Sequence, residues 1–230
     1  MQFCINAKPT QNTQKGKFLL CENMVIYMNK VKFYLKRAYY APAEIADDGT
    51  VTYQTPIRMP GAVSISFSPE GDLISLRADG CDYYTGAANN GYSGDLEMAL
   101  IPDEFRVNCL GDELDGSKVL VEKATSDPKP FAFLYEFQGD REAQKHVMYL
   151  CTAKRANIEG DNPDTKTPKT ETISIKAVPR EVDDLVRCVT TSDTTKSVYD
   201  KWYESVYLPT ESASVTAAKT TTTSTTGVSK

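Results

Sequence analysis

One histidine, one glycine-rich segment and three acidic pairs are the first candidates for chemistry in this chain. His146 is the only histidine, so a Ser-His-Asp or Cys-His arrangement would have to use it. It follows Lys145 in an apolar segment typical of a strand. No serine occupies a GxSxG elbow, and no cysteine has a recognisable nucleophile context. We therefore predict that His146 is structural, that the chain is not an enzyme and that it has no catalytic residue.

The glycine-rich segment GAANNG (86–91) superficially resembles a phosphate-binding loop. No Gly-Lys-Ser/Thr follows it and no helix is predicted to open there, so we interpret it as a flexible hairpin tip. The acidic pairs Asp47-Asp48, Asp112-Glu113 and Asp183-Asp184 lack the spacing of a calcium loop and fit solvated turns. We predict no cofactor and no metal site.

Five tyrosines could stack on the bases of single-stranded nucleic acid: Tyr39, Tyr40, Tyr83, Tyr84 and Tyr92. Such a platform needs basic residues between the rings, and residues 83–92 contain none. The net charge of −5 also argues against a surface that grips phosphates. Because tyrosine is enriched where proteins meet, we favour a protein interface.

Composition and cysteine usage indicate a cytosolic product. No apolar run reaches the roughly 18 residues that cross a bilayer, so no membrane is predicted among the partners. The run after Lys17 is too short for a secretory signal. Six cysteines without a CxxC pair fit no zinc module, and we expect free thiols, with three disulfides as the alternative.

The stretch from Ala62 to Ile101 organises the rest of the chain. Its alternating pattern predicts four strands, at 62–67, 73–78, 82–85 and 92–100, with turns at 68–72 and 79–80. The predicted hairpin tip consists of Gly86, Ala87, Ala88, Asn89, Asn90 and Gly91. The stretch is acidic, since it contains one basic residue against Glu70, Asp72, Asp79, Asp82, Asp95 and Glu97.

Further strands are predicted at 31–40, 51–59, 119–122, 131–137, 146–153, 170–178 and 185–190. A short helix capped by Asp103 should end at Gly111. A second helix from Asp193 to Tyr207 should pack on the sheet, with Trp202 as its core anchor. The fold class is therefore all-β with minor α, with about ten strands in an antiparallel sandwich or barrel.

Three segments are expected along the chain. Residues 1–27 lack periodicity, and they are either a genuine N-terminal arm or the product of a start codon placed too early, with Met24 or Met28 as the true start. Residues 28–208 form the β domain. Residues 209–230 contain eight threonines, four serines and no aromatic residue, which is typical of a flexible tail.

Six blocks of the sequence resemble the major tail protein of long-tailed phages and prophages of Gram-positive bacteria. In matching order across about residues 28–209, they are NKVKFYLKRAYYAP (29–42), PGAVSISFSPEGD (60–72), YYTGAANNGYSGDLEMALIPDEFR (83–106), KPFAFLYEFQGD (129–140), TETISIKAVPR (170–180) and YDKWYESVYLP (199–209).

This resemblance implies a structural virion protein, the tail tube subunit, with a β-sandwich, a flanking helix and long hairpins. Rings, usually hexameric, would stack into a hollow tube in the virion tail after synthesis in the host cytoplasm. The implied partners are other copies of the chain, the tape measure protein, the tail terminator and the baseplate or distal tail proteins. Double-stranded DNA would pass through without specific binding.

In such a ring we expect the 86–91 tip to join neighbouring subunits, and Asp79, Asp82, Asp95 and Glu97 to line an acidic lumen that repels DNA phosphates. The alternative function is a tail or capsid decoration or adhesion module that binds host-surface carbohydrate. A hydrolase using His146 is a third and weaker hypothesis.

Overall fold

The computed structural model describes residues 29–158, 160 and 168–209, and this part of the chain is an all-β protein, as predicted. The predicted extension 1–27 and the predicted tail beyond Pro209 lie outside the described residues, as do Cys4 and Cys21. The strands are β1 (Lys32–Ile45), β2 (Val51–Tyr53), β3 (Ile57–Met59), β4 (Ala62–Glu70), β5 (Leu73–Ala78), β6 (Cys81–Ala87), β7 (Gly91–Met98), β8 (Glu113–Leu114), β9 (Leu120–Val121), β10 (Phe131–Gly139), β11 (Gln144–Ala153), β12 (Glu171–Val178) and β13 (Arg187–Val189).

Nine of these strands form one antiparallel sheet in the order β2-β1-β10-β11-β12-β7-β4. Strand β3 also pairs with β1, and β13 also pairs with β11. Strands β5 and β6 form a separate two-stranded sheet, and β8 and β9 form another. The predicted strand 51–59 is divided into β2 and β3 around Pro56, which has no amide to donate to a ladder.

The nine-stranded sheet bends over on itself, so that β4 lies against β10. The ring of Phe67 on β4 is 6.2 Å from the rings of Phe133 and Tyr135 on β10, although three strands separate β4 from β10 in the sheet. The main core lies between the two halves and includes Tyr40 and Phe105. The predicted sandwich-like core is therefore enclosed by one bent sheet and not by two separate sheets.

Strands β10 and β11 are buried on both faces, which explains the nearly continuous apolar sequence of β10. The outer face carries Leu134, Val147 and Tyr149, and the end of the described chain covers it with Trp202 and Val206. The indole of Trp202 is 3% exposed and stacks on Tyr207 with 5.4 Å between ring centroids.

The predicted helix from Asp193 to Tyr207 is wrong in length. The helix α2 covers Lys196–Asp200 only, and residues 201–205 follow as turns. In a longer helix the carbonyl oxygen of Tyr199 would accept the amide of Tyr203. Here that oxygen accepts a 2.6 Å hydrogen bond from Nζ of Lys145, so a side chain of the sheet competes with the helix.

The first helical segment ends as predicted but begins differently. The helix α1 (Asp103–Phe105) continues into a π-helical turn, Arg106–Leu110, and Gly111 ends it with a φ of 83°. Asp103 is not the cap, because the capping position is Pro102, whose carbonyl oxygen accepts the amide of Phe105 at 3.0 Å.

Candidate assembly surfaces

The β5–β6 hairpin projects from the body between two strands of the main sheet. The chain leaves the sheet after Glu70 at the end of β4 and re-enters it at Gly91, the first residue of β7. Six residue pairs join β5 to β6, from Leu73↔Ala87 to Ala78↔Cys81. At about 3.3 Å per residue, the hairpin reaches roughly 20 Å beyond the sheet.

Both faces of this hairpin expose large apolar side chains. Leu73 is 85% exposed, Tyr83 is 73% exposed and Leu76 is 58% exposed, and Ile74 and Tyr84 are similarly open. The ring of Tyr84 lies over Gly86, because a Cβ built on that glycine would be 3.0 Å from the tyrosine oxygen. Two-stranded hairpins without a packed face are marginally stable in water, so this surface is suited to burial against another chain.

The predicted tip at Gly86–Gly91 is wrong, because the structure places these residues at the base of the hairpin. Gly86 and Ala87 belong to β6, Gly91 opens β7, and the tip is Asp79-Gly80, with φ values of 56° and 81°. At the base, the amide of Ala88 donates to Asp72 O at 3.1 Å and the amide of Asn90 donates to Glu70 O at 2.8 Å.

Gly71 is required at this base. A Cβ at Gly71 would lie 1.9 Å from the carbonyl oxygen of Ala88, and its φ is 151°. The predicted turn at 68–72 is therefore not a turn between neighbouring strands. Strand β4 continues to Glu70, which pairs with Gly91 in the main sheet, and the hairpin is an insertion between them.

The outer face of β4, β7 and β12 is rich in hydroxyl and carboxylate groups. Asp95 on β7 pairs in register with Ser66 on β4 and Ser174 on β12, and it accepts a 2.7 Å hydrogen bond from the Ser174 hydroxyl. Glu97, two residues along on the same face, accepts 2.7 Å bonds from Ser64 and Thr170. We call this surface the polar face; the alternate residues of the same strands enter the main core.

These hydrogen bonds affect the charge of the polar face. The hydroxyls of Ser64 and Thr170 lower the pKa of Glu97 below its ordinary value. At the hairpin end of the face, Lys176 and Ser93 lower the pKa of Glu70, with 2.9 Å between the Lys176 ammonium and a Glu70 oxygen. Both carboxylates are therefore ionised at neutral pH.

The four acidic residues predicted to share one lumen fall into two groups. Asp95 and Glu97 lie together on the polar face. Asp79 and Asp82 lie at the far end of the hairpin, where a carboxylate oxygen of Asp82 is 3.4 Å from Nε of Arg77. The sequence does not indicate this separation, because its alternating pattern predicts one continuous series of neighbouring strands.

His146 lies in the main body between aromatic rings. Its ring stacks on Tyr135 at 4.7 Å with an interplanar angle of 5°, and Phe137 meets it edge-on at 5.4 Å. Burial lowers its pKa to about 4, and the nearby charges of Arg187 and Lys32 act in the same direction. Neither ring nitrogen has a hydrogen-bond partner among the described residues. The imidazole is therefore neutral at pH 7.

No protein family and no curated protein matches this chain. Within residues 29–158, 160 and 168–209, no three or more His, Cys, Asp or Glu side chains are grouped closely enough to hold a metal ion. The described helices include none long and apolar enough to cross a membrane. The described cysteines, Cys81, Cys109, Cys151 and Cys188, are unpaired with one another.

The sequence contains a further feature that indicates the exposed hairpin and that the alternating pattern by itself does not reveal. Leu73-Ile74 and Tyr83-Tyr84 are adjacent apolar pairs, so each strand places an apolar group on both faces. A strand that covers a core has one polar face, whereas a strand with two apolar faces needs cover on both sides. No neighbouring predicted strand or helix would cover both faces of β5 and β6.

Proposed function

We propose that this chain is the tail tube subunit of a phage-type tail, which self-assembles into stacked rings around a hollow lumen. The carrying observation is the β5–β6 hairpin, whose five large apolar side chains remain exposed on a body with a complete core. A monomeric protein has little use for such an element, and contiguous exposed apolar surface marks sites of association. The resemblance of the sequence blocks to major tail proteins supports the same function.

The two margins of the main sheet, β4 and β1, contact each other without pairing among the described residues, and their unpaired backbone groups also support assembly. Strand β4 is the last strand of the sheet, and among the described residues only β7 pairs with it. At the other end of the strand order, Lys32–Arg37 of β1 pairs only with β10 within the described part of the chain, since β3 begins to pair at Ala38. Unpaired strand edges join with other chains unless they are blocked, and a ring of identical subunits uses them productively.

We assign the polar face to the lumen of the tube. Its exposed groups are mainly hydroxyls and carboxylates, with Asp95 and Glu97 near its centre, and the ammonium of Lys176 at its hairpin end is paired with Glu70. Carboxylates repel DNA phosphates, and short hydroxyl side chains offer no cation that would hold the polymer. Double-stranded DNA would then pass without specific binding, and the chain would need no catalytic residue and no cofactor.

The remaining partners follow from the same proposal. A tube of defined length needs a tape measure protein inside it, a terminator at one end and baseplate or distal tail proteins at the other. The chain would act in the virion tail after synthesis in the host cytoplasm, and the ring would be a hexamer of the sandwich-like domain.

A decoration or adhesion module is the second candidate, because Tyr83 and Tyr84 are exposed aromatic rings of the kind that stack on sugars. One pair of experiments separates the two. Purified full-length chain is imaged by negative-stain electron microscopy over a concentration series, and the same sample is screened against host cell-wall glycans. Tubes without glycan binding support the tail tube, whereas glycan binding by a persistent monomer supports the adhesion module.

A further inference from the structure

The first strand of the sheet begins with an exposed and strongly basic edge. We define the basic edge as residues 30–37, KVKFYLKR, whose strand portion pairs with β10 on one side only among the described residues. Val31, Phe33 and Tyr34 are each at least half exposed. Like the hairpin, this edge therefore combines open backbone groups with apolar side chains.

The charges of the two surfaces are opposite. The basic edge contains Lys30, Lys32, Lys36 and Arg37 and no acidic residue. The hairpin segment, residues 71–90, contains Asp72, Asp79 and Asp82 against a single cation, Arg77. Charge complementarity of this kind selects partners and orients them as they meet.

The chain itself compensates the basic edge only in part. Nζ of Lys36 is 3.8 Å and Nε of Arg37 is 3.5 Å from one carboxylate oxygen of Glu136. That carboxylate is buried and also accepts a 2.9 Å hydrogen bond from Tyr203. One carboxylate thus serves two cations. The ammonium of Lys32 lies over the ring of Phe137 at 4.2 Å and forms no ion pair within the described part of the chain.

We propose that the β5–β6 hairpin of one copy docks on the basic edge of a second copy. This contact rests on the proposed tube function and specifies which surfaces of the chain meet. The apolar hairpin side chains would cover Phe33 and Tyr34, and the hairpin aspartates would face the lysines. Because the two surfaces differ, the contact is head-to-tail, so repeated contacts close a ring or extend a filament.

Both surfaces lie at the same end of the sheet. Lys32 pairs with Gly139 at the C-terminal end of β10, which is the end where β11 begins. Following the antiparallel pairs through β12 and β7, the hairpin base at Glu70 and Gly91 points to that same end of the sheet.

The test is a charge-reversal experiment in trans on the full chain. The edge variant carries Lys30→Glu, Lys32→Glu and Lys36→Gln, so that no second carboxylate is placed beside the buried Glu136, and it retains Arg37 as the partner of Glu136. The hairpin variant carries Asp72→Lys, Ser75→Lys and Asp79→Asn; asparagine tolerates the positive φ at 79, and the Arg77–Asp82 pair remains.

Each variant alone presents like charges at the junction, so we expect the protein concentration needed for tube assembly to rise at least about tenfold. Mixed in equal amounts, each variant offers the surface that the other needs, and assembly returns to within about threefold of the original protein. A third variant with all six substitutions assembles by itself. The matched control, Lys118→Glu with Lys201→Glu, reverses exposed lysines elsewhere and leaves assembly unchanged.

Each outcome of this experiment has one meaning. Recovery by mixing and by the sixfold variant supports the contact. Normal assembly by either variant alone overturns it, and so does failure of the mixture to recover. If the unaltered protein forms no tubes at any concentration, the proposed function fails and the docking contact fails with it.

Discussion

The exposed leucines of the hairpin should control assembly without controlling folding. In Leu73→Thr with Leu76→Thr, threonine keeps the strand preference and removes most of the apolar surface. Burying a leucine fully is worth about 2 kcal/mol. Leu73 is 85% exposed and Leu76 is 58% exposed, so burying both gives at most about 3 kcal/mol of association free energy for each contact between two copies. That free energy corresponds to about a hundredfold in the concentration that supports assembly.

The assay measures sedimentation and negative-stain images over a concentration series, together with urea unfolding of the dilute protein. The unfolding free energy should change by no more than about 0.5 kcal/mol, because both side chains are exposed in the single chain. Leu100→Thr with Leu114→Thr is the matched control, since these leucines are also exposed but lie outside the hairpin. Unchanged assembly of the hairpin variant, or equal loss in the control, would refute the reasoning.

Three further predictions address the core, the histidine and the lumen. Replacing Trp202 by alanine should lower the unfolding free energy by about 3–5 kcal/mol in urea titrations, while Tyr34→Ala, at an exposed position, should change it by less than about 0.5 kcal/mol. The pKa of His146 is about 4 in the folded chain against an ordinary value of 6.5, so the unfolded chain binds the proton first. The contribution of His146 to the unfolding free energy is then fully present above pH 6.5, and up to about 3 kcal/mol of it is lost as the pH falls to 4. The variant His146→Phe should remove that part of the pH dependence. An identical pH dependence in the variant would contradict the burial argument. Replacing Asp95 and Glu97 by lysine should leave tube formation near normal and make the tubes retain double-stranded DNA in a salt-dependent way in filter binding; tubes that retain no DNA would count against a luminal position.

Alternation and turn chemistry in the sequence predicted most of the main sheet. The predicted strands 131–137, 146–153 and 170–178 begin and end within two residues of β10, β11 and β12, respectively. Local pattern suffices there because each strand is long and its burial requirement dominates its residue choice. Gly111, which ends the first helical segment, was also predictable from local sequence, because helices commonly end at a glycine with positive φ.

The misplaced hairpin tip shows where local pattern was insufficient. Gly86–Gly91 has the composition of a turn, but glycine is required in this region because backbones approach closely at the hairpin base. A Cβ at Gly91 would lie 2.0 Å from the carbonyl oxygen of Ala177, a residue distant in the chain. The sequence marks such a glycine without stating which partner requires it.

The second helix failed for a tertiary reason. Its three- and four-residue spacing correctly indicated that Val198, Trp202 and Val206 share a buried side. The same spacing cannot report that Lys145 takes the carbonyl oxygen of Tyr199 and so ends the helix. Burial was therefore predictable at this position, and helix length was not.

Direct imaging of the purified full-length chain tests the central claim, that this protein builds a tube from its own copies. A concentration series is examined by negative-stain electron microscopy, with the tape measure protein added in a parallel series. The account predicts hollow tubes of stacked rings with a central channel. A protein that remains monomeric at high concentration, with the tape measure protein present, would contradict it.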